Sequence, residues 1–354
     1  MRNPKVALVA ACAVVVGWAF TASAATCTYT GSWDTTPTSA EDEIVIESGT
    51  LTWDAALPQT VASWTQNGGT VTFKTGRSDD ANTIGVVEGD ERVFKVTGDV
   101  TINGGTVMHE VQPSMSASSA GWIDGKGVYR LIIKAGGDIT VGADGVVSAD
   151  NKGFLKNQGL GQAGTAPNSD SCHGGTGAYG GESYVKCYGS VYRPESLGSG
   201  GCYGSAAGAG GGAVRLEATG TLTVNGTVSA RATTTESYSA SGGSVLLIGG
   251  TIAGSGIVNA AGANNTFRGG GGGRIALVQT VANDFTAWTG KATAFGGANG
   301  TTLCGHGTVY YEPASRPYAG DLELKGTGAQ LWPTTKTSPM CATIRRTSAG
   351  AVRS

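Results

Sequence analysis

Asp79, Asp80, Glu88, Asp90 and Glu91 gather in one short stretch beside Arg77 and Arg92. Oxygen-rich groups of this kind hold Ca²⁺, which takes six to eight oxygen ligands; the plainer reading is a solvated loop. The chain lacks the nonapeptide Ca²⁺ repeat GGxGxDxUx, which weighs against the ion. Cys172, His173, Cys187 and Cys202 carry the thiols and imidazole of a zinc site, but zinc ligands usually come in pairs two to four residues apart. Here the cysteines are 15 apart, so oxidised pairs fit better. The histidines His109, His173 and His306 have no Gly-x-Ser-x-Gly elbow to serve. No catalytic residue, metal or cofactor is assigned.

Aromatic residues offer a second kind of chemistry. Tyr179, Tyr184, Tyr188, Tyr192 and Tyr203 crowd a glycine-rich stretch. Rings on a rigid wall stack on sugars or fill a protein interface, and these five are the candidate binding residues. The competing role is to pack across the loop and hold it together.

The elements that would position these groups are strands. EIVIESGTLTW, GGTVTFKTG and ERVFKVTGDVTINGGTVMHEV alternate or cluster β-branched residues between turn residues. Three later stretches nearly repeat one another: GVYRLIIKAGGDITVGADGVVSA, GGAVRLEATGTLTVNGTVSA and GGSVLLIGGTIAGSGIVNAAG. Aligned, they place Val214, Val245, Ile275 and Val309 in one column, with Leu216, Leu247, Leu277 and Tyr311 two residues later on the same face. The column spacings of 31, 30 and 34 residues suit one turn of a three-sided coil. A unit of that size cannot bury its apolar face alone, so the units must stack. The expected fold is all-β, a right-handed parallel β-helix (β-solenoid) with a glycine-rich insertion.

The same columns test for hydrolysis. Glu217 aligns with Ile248, Val278 and Glu312, and Asp138 aligns with Thr221 and Thr251. Neither row supplies the paired carboxylates that glycoside cleavage needs. Gly210–Gly212 and Gly269–Gly273 each precede a column strand, which places them at a corner where neighbouring turns pass closely.

Residues 1–24 have a basic start, an apolar run from Val6 to Phe20, and Ala22-Ser23-Ala24 before Ala25, the small-x-small pattern of a cleaved secretory signal. The chain is expected to be secreted or on the cell surface, with no membrane span after cleavage. Residues 25–120 form a strand-rich capping or solenoid region, 121–320 the glycine-rich β-helix with its insertion at 151–210, and 321–354 a last turn and an irregular basic tail. Six cysteines follow the signal, Cys27, Cys172, Cys187, Cys202, Cys304 and Cys341. In an exported chain they are disulfide candidates, with 15 pairings open. With 24 basic and 26 acidic residues, the net charge of −2 gives nucleic acid no purchase. The 60 glycines do not signal disorder, because 40% of residues are hydrophobic and recur in patterned runs.

The run from HGGTGAYGG through YGSVYRPESLGSGG, AAGAGGGAVRLEATGTLTVNGTVSA and GGGGGRIALV to GHGTVYYEPASRPYAGDLEL resembles glycine-rich repeat proteins of bacterial cell surfaces. The resemblance covers roughly His173 to Leu324. It implies a parallel β-helix in the manner of adhesins and autotransporter passengers, and no catalytic residues. The expected function is non-catalytic: adhesion, or binding of a polysaccharide or surface protein. A β-helix polysaccharide lyase or glycoside hydrolase is the alternative.

Overall fold

A computed structural model describes residues 24–74, 86–88, 91–114, 129–161, 171–177, 187–201, 208–233, 240–264, 269–299 and 302–324. Among these residues there are strands and no helices, and the strands are mostly parallel. No helix is therefore long and apolar enough to cross a membrane.

Two large sheets carry the architecture. The chain visits them alternately: Leu131–Ala135 lies in one, Ile139–Ser148 in the other, Ala213–Ala218 back in the first, and so on through Thr308–Glu312. Neighbours in each sheet come from successive repeats, so each repeat hydrogen-bonds to the next. The aligned column is a physical one: Leu131, Val214, Val245, Ile275 and Val309 are in register across five parallel strands. All five are buried. Leu216, Leu247 and Leu277 continue the inward face two residues on, with Tyr311 partly buried against it.

The opposite sheet answers with Val100, Ile139, Leu222 and Ile252 in one row and Val107, Val147, Val228, Val258 and Ala292 in another. These rows meet in a single apolar core. Each fully buried aliphatic side chain is worth about 1.5–3 kcal/mol. The stretch GDVTINGGTVMHE forms the strand Val100–His109, paired with Ile139–Ser148, so the region before residue 121 shares the same sheet. There the interior is filled by rings: Trp53, Trp64, Phe73 and Phe94 contact one another at centroid distances of 5.0–6.1 Å.

Corners are made by two devices. At one, Asp99 Oδ1 accepts the N–H of Asp138 at 2.8 Å, and Asp138 Oδ1 accepts that of Thr221 at 2.7 Å, so a carboxylate in one repeat ties down the next. At the other, glycine backbones stack directly. A Cβ on Gly243 would fall on the carbonyl oxygen of Gly212, one on Gly273 on that of Gly243, and one on Gly307 on that of Gly273. None of these glycines has a left-handed φ. Close approach, not the freedom to reach φ > 0, is what demands glycine here.

The insertion packs on that corner as a further layer. Gly198 N–H donates to Gly211 O at 2.8 Å, Gly211 N–H to Ser241 O at 3.0 Å, and Gly174 N–H to Gly272 O at 2.9 Å. These segments belong to no strand, yet their amides find carbonyls in neighbouring chains, as buried backbone must.

Candidate ligand-binding surface

The first sheet, which holds Ala213–Ala218 and Thr308–Glu312, is covered on its outer face as well. Residues 187–201 run across it, and Val191 packs on Leu246, Ala276, Val278 and Tyr310. That is why Ser244–Gly249 and Arg274–Gln279 are almost entirely buried rather than alternately exposed. Polar contacts fix the cover: Arg274 Nε donates to Tyr188 O at 2.8 Å, and Ser244 Oγ to Ser196 O at 2.6 Å.

The strongest of these contacts is ionic. Arg193 donates to both oxygens of Glu312, at 3.0 and 2.7 Å, and Tyr310 Oη donates to the same carboxylate at 3.0 Å. Burial alone would raise the Glu312 carboxyl, but the hydrogen bonds and charge of Arg193 outweigh it and hold the group below its usual range. Burial pushes the Tyr310 hydroxyl up to about 12.

Above this pair stands an exposed aromatic group. Tyr192 is 41% exposed and Tyr318 62% exposed. Their rings meet edge to face at 5.9 Å, and Tyr192 makes a similar contact with Tyr310 at 5.1 Å. The Arg193 guanidinium lies 4.7 Å from the Tyr318 ring centre, a cation–π distance. Tyr318 holds φ at 56°, uncommon for a bulky residue. Next to it Arg316 pairs with Asp321 at 2.9 Å.

Of the tyrosines singled out above, Tyr192 belongs to this surface. Tyr188 does not: its hydroxyl donates to Leu197 O at 2.5 Å and meets Ser199 Oγ at 2.9 Å, and its ring packs on His173 at 4.7 Å. Burial pushes its hydroxyl pKa up. Tyr188 therefore anchors the insertion. Tyr179, Tyr184 and Tyr203 lie outside the described residues.

Tyr318 and Arg193 escaped the sequence reading, and Glu312 entered it only as a member of the carboxylate row. The signal was the outward Leu246, Ala276, Val278 and Tyr310, apolar on a face that water would otherwise wet.

The carboxylate row reads as the alignment has it: Glu217, Ile248, Val278 and Glu312 are in register. Glu217 is held by Arg215 at 2.6 Å and faces Lys134 at 3.6 Å. Glu217 and Lys134, with Lys95, Thr97 and Thr219, line an open cleft of about 470 Å³. Of the acidic group, Asp79, Asp80 and Asp90 lie outside the described residues. Glu88 and Glu91 sit opposite one another on antiparallel strands, and their side chains lie outside the description. Among the described residues no three His, Cys, Asp or Glu side chains gather as metal ligands would.

No disulfide joins any two of the described cysteines. Cys27 and Cys172 are buried free thiols, a departure from their place among the disulfide candidates. Cys27 points into the core in register with Ile44 and behaves as a small apolar residue. Burial pushes its thiol pKa up, and Asp42 and Asp34 push the same way. Cys202 and Cys341 lie outside the described residues. His173 Nδ1 donates to Gly242 O at 2.9 Å and His109 Nδ1 to Glu110 O at 2.7 Å, and neither Nε2 meets a donor. His306 lies at the glycine corner, where its Nδ1 accepts the Gly296 N–H at 3.1 Å. No protein family matches the chain, and neither a curated protein nor a solved structure matches it.

Proposed function

We propose that the chain is exported and works at the cell surface as a non-catalytic, right-handed β-solenoid that binds glycan through Tyr192 and Tyr318. The exposed ring pair carries this reading. Two large amphipathic side chains stand in water, held from below by the bidentate pair of half-buried Arg193 with buried Glu312. Rings so fixed offer contact area at little entropic cost on binding.

Charge favours a neutral sugar over a uronate. Each nearby cation is matched by its own carboxylate, Arg193 by Glu312 and Arg316 by Asp321. A pyranose stacking its C–H face on a ring would take the rim groups as hydrogen-bond partners. The separation of Glu217 from Glu312 by Ile248 and Val278 supports binding over cleavage. The repeat, the alternation between two parallel sheets and the small-x-small motif before Ala25 support the rest. The test is a panel of neutral and acidic oligosaccharides presented to the wild type and to Tyr192→Ala and Tyr318→Ala. Binding of neutral members that both substitutions abolish supports the reading. Binding that neither disturbs, or release of cleaved sugars, sinks it.

A further inference from the structure

Asp42 is a carboxylate 3% exposed, and among the described residues no lysine, arginine or histidine forms an ion pair with it. Its donors are backbone amides. Thr38 and Ser39 reach Oδ2 at 2.8 and 2.9 Å, and Ala25 reaches Oδ1 at 3.2 Å. A buried charge without a countercharge is costly.

Ala25 is also the residue on which the small-x-small motif places the cut. It is partly buried against the core, and its carbonyl accepts the Glu43 N–H at 2.8 Å at the head of the parallel ladder Thr26–Thr30 with Glu43–Ser48. Ala24, just before it, is exposed. The position that a signal endopeptidase would expose is therefore already docked on the one buried acid that, among the described residues, lacks a cation.

We infer that hydrolysis of the Ala24–Ala25 bond creates the countercharge: the new α-ammonium of Ala25 pairs with Asp42 and locks the first strand of the mature protein. This rests on the export reading above. In the step, water splits across the peptide bond: its oxygen goes to the carbonyl carbon of Ala24, which leaves as a carboxylate. The nitrogen of Ala25 takes a hydrogen and, as an α-amine ordinarily titrating near pH 8, is protonated at neutral pH. The amide donor at 3.2 Å becomes a charged donor, and charge-assisted bonds are roughly twice as strong as neutral ones. The processed chain is then more stable than the same chain with Ala24 retained.

Two measurements separate the parts of the inference. Mass analysis of the exported protein reads the first residue; Ala25 is expected, and a start elsewhere overturns the proposal at its first step. Thermal melting then compares chains made to begin at Ala25 with chains that retain Ala24, each with Asp42 and with Asp42→Asn. Retaining Ala24 should lower the midpoint by roughly 2–4 °C with Asp42 present and leave it unchanged in Asp42→Asn. Equal shifts in both backgrounds, or no shift in either, overturn the pair whatever the mass result. Should Asp42→Asn fail to fold, acetylating the Ala25 amine removes its charge while keeping an N–H; a lowered midpoint supports the pair, and an unchanged one refutes it.

Discussion

Arg193 and Glu312 are 119 positions apart in the chain and close on each other through two hydrogen bonds, at 3.0 and 2.7 Å. The arginine rides on the insertion and the glutamate on the strand Thr308–Glu312, so the pair fastens the covering layer to the sheet beneath. Glu312 is 3% exposed, and removing its partner leaves a buried carboxylate unpaired. Arg193→Ala should cost about 3 kcal/mol, read by urea denaturation, and should speed proteolysis within residues 187–201. A variant as stable as the wild type would show that the pair is not the clasp.

The rings above the clasp are expected to behave differently. Tyr192→Ala and Tyr318→Ala remove exposed surface, so each should change stability by under about 1 kcal/mol while weakening sugar binding at least roughly tenfold, or about 1.4 kcal/mol. Urea denaturation checks the first number, and calorimetric titration with the tightest-binding oligosaccharide checks the second.

Glycine at the corner is a question of space, and substitution can show it. Gly243→Ala would set a methyl on the Gly212 carbonyl, with a cost of about 3 kcal/mol or more, or failure to fold. Gly31 is the control. It has φ +109° and nothing within 4 Å of an added Cβ, so Gly31→Ala should cost only about 1 kcal/mol of backbone strain. Equal losses at the two positions would remove the close-approach argument.

Acid should weaken the fold through buried histidine. Burial lowers both His109 and His173 to about 3, and nearby cations, Lys152 and Arg130 at the first and Arg274 at the second, act in the same direction. In the unfolded chain they titrate near 6.5, so between those values the unfolded state binds more protons than the folded one. Stability is thus full above about pH 6.5 and falls as the pH drops toward 3, by about 1.4 kcal/mol per pH unit per histidine. His173→Gln should flatten that slope by the share of one residue, measured by denaturant midpoints from pH 7 to pH 4.

Asp42 adds a second acid-sensitive term. Burial would raise its carboxyl, but the amides of Thr38, Ser39 and Ala25 prevail and hold it below the usual value. Its contribution is present above the unfolded aspartate pKa of about 3.9 and is lost as the pH falls through the lower folded value. Asp42→Asn should leave the pH 5–7 slope intact and remove curvature only below about pH 4.

The inner columns were legible because their cause is periodic. A side chain at every second position faces the core, so Val214, Val245, Ile275 and Val309 could be aligned by repeat alone, and the register confirms each pairing. The covering layer was harder to see. Leu246 and Val278 are apolar residues on the outer face of their strands, and the Val191 and Leu322 packed on their cluster explain them. The glycine corner was legible with its reason, since the close passage of neighbouring turns is the stacking of backbones seen there, without left-handed dihedrals. Tyr188 and Tyr192 looked alike in the sequence and differ because one ring lies under the insertion and the other on it. The Arg193–Glu312 pair joins segments that share no repeat phase, and no local pattern announces it.

Every hydrogen bond between successive parallel strands lies along the direction in which the repeats stack. A tensile pull on the two chain ends would load those bonds a turn at a time, so the molecule would yield by peeling at low force, terminal turn first. A sideways load would instead strain whole strands together.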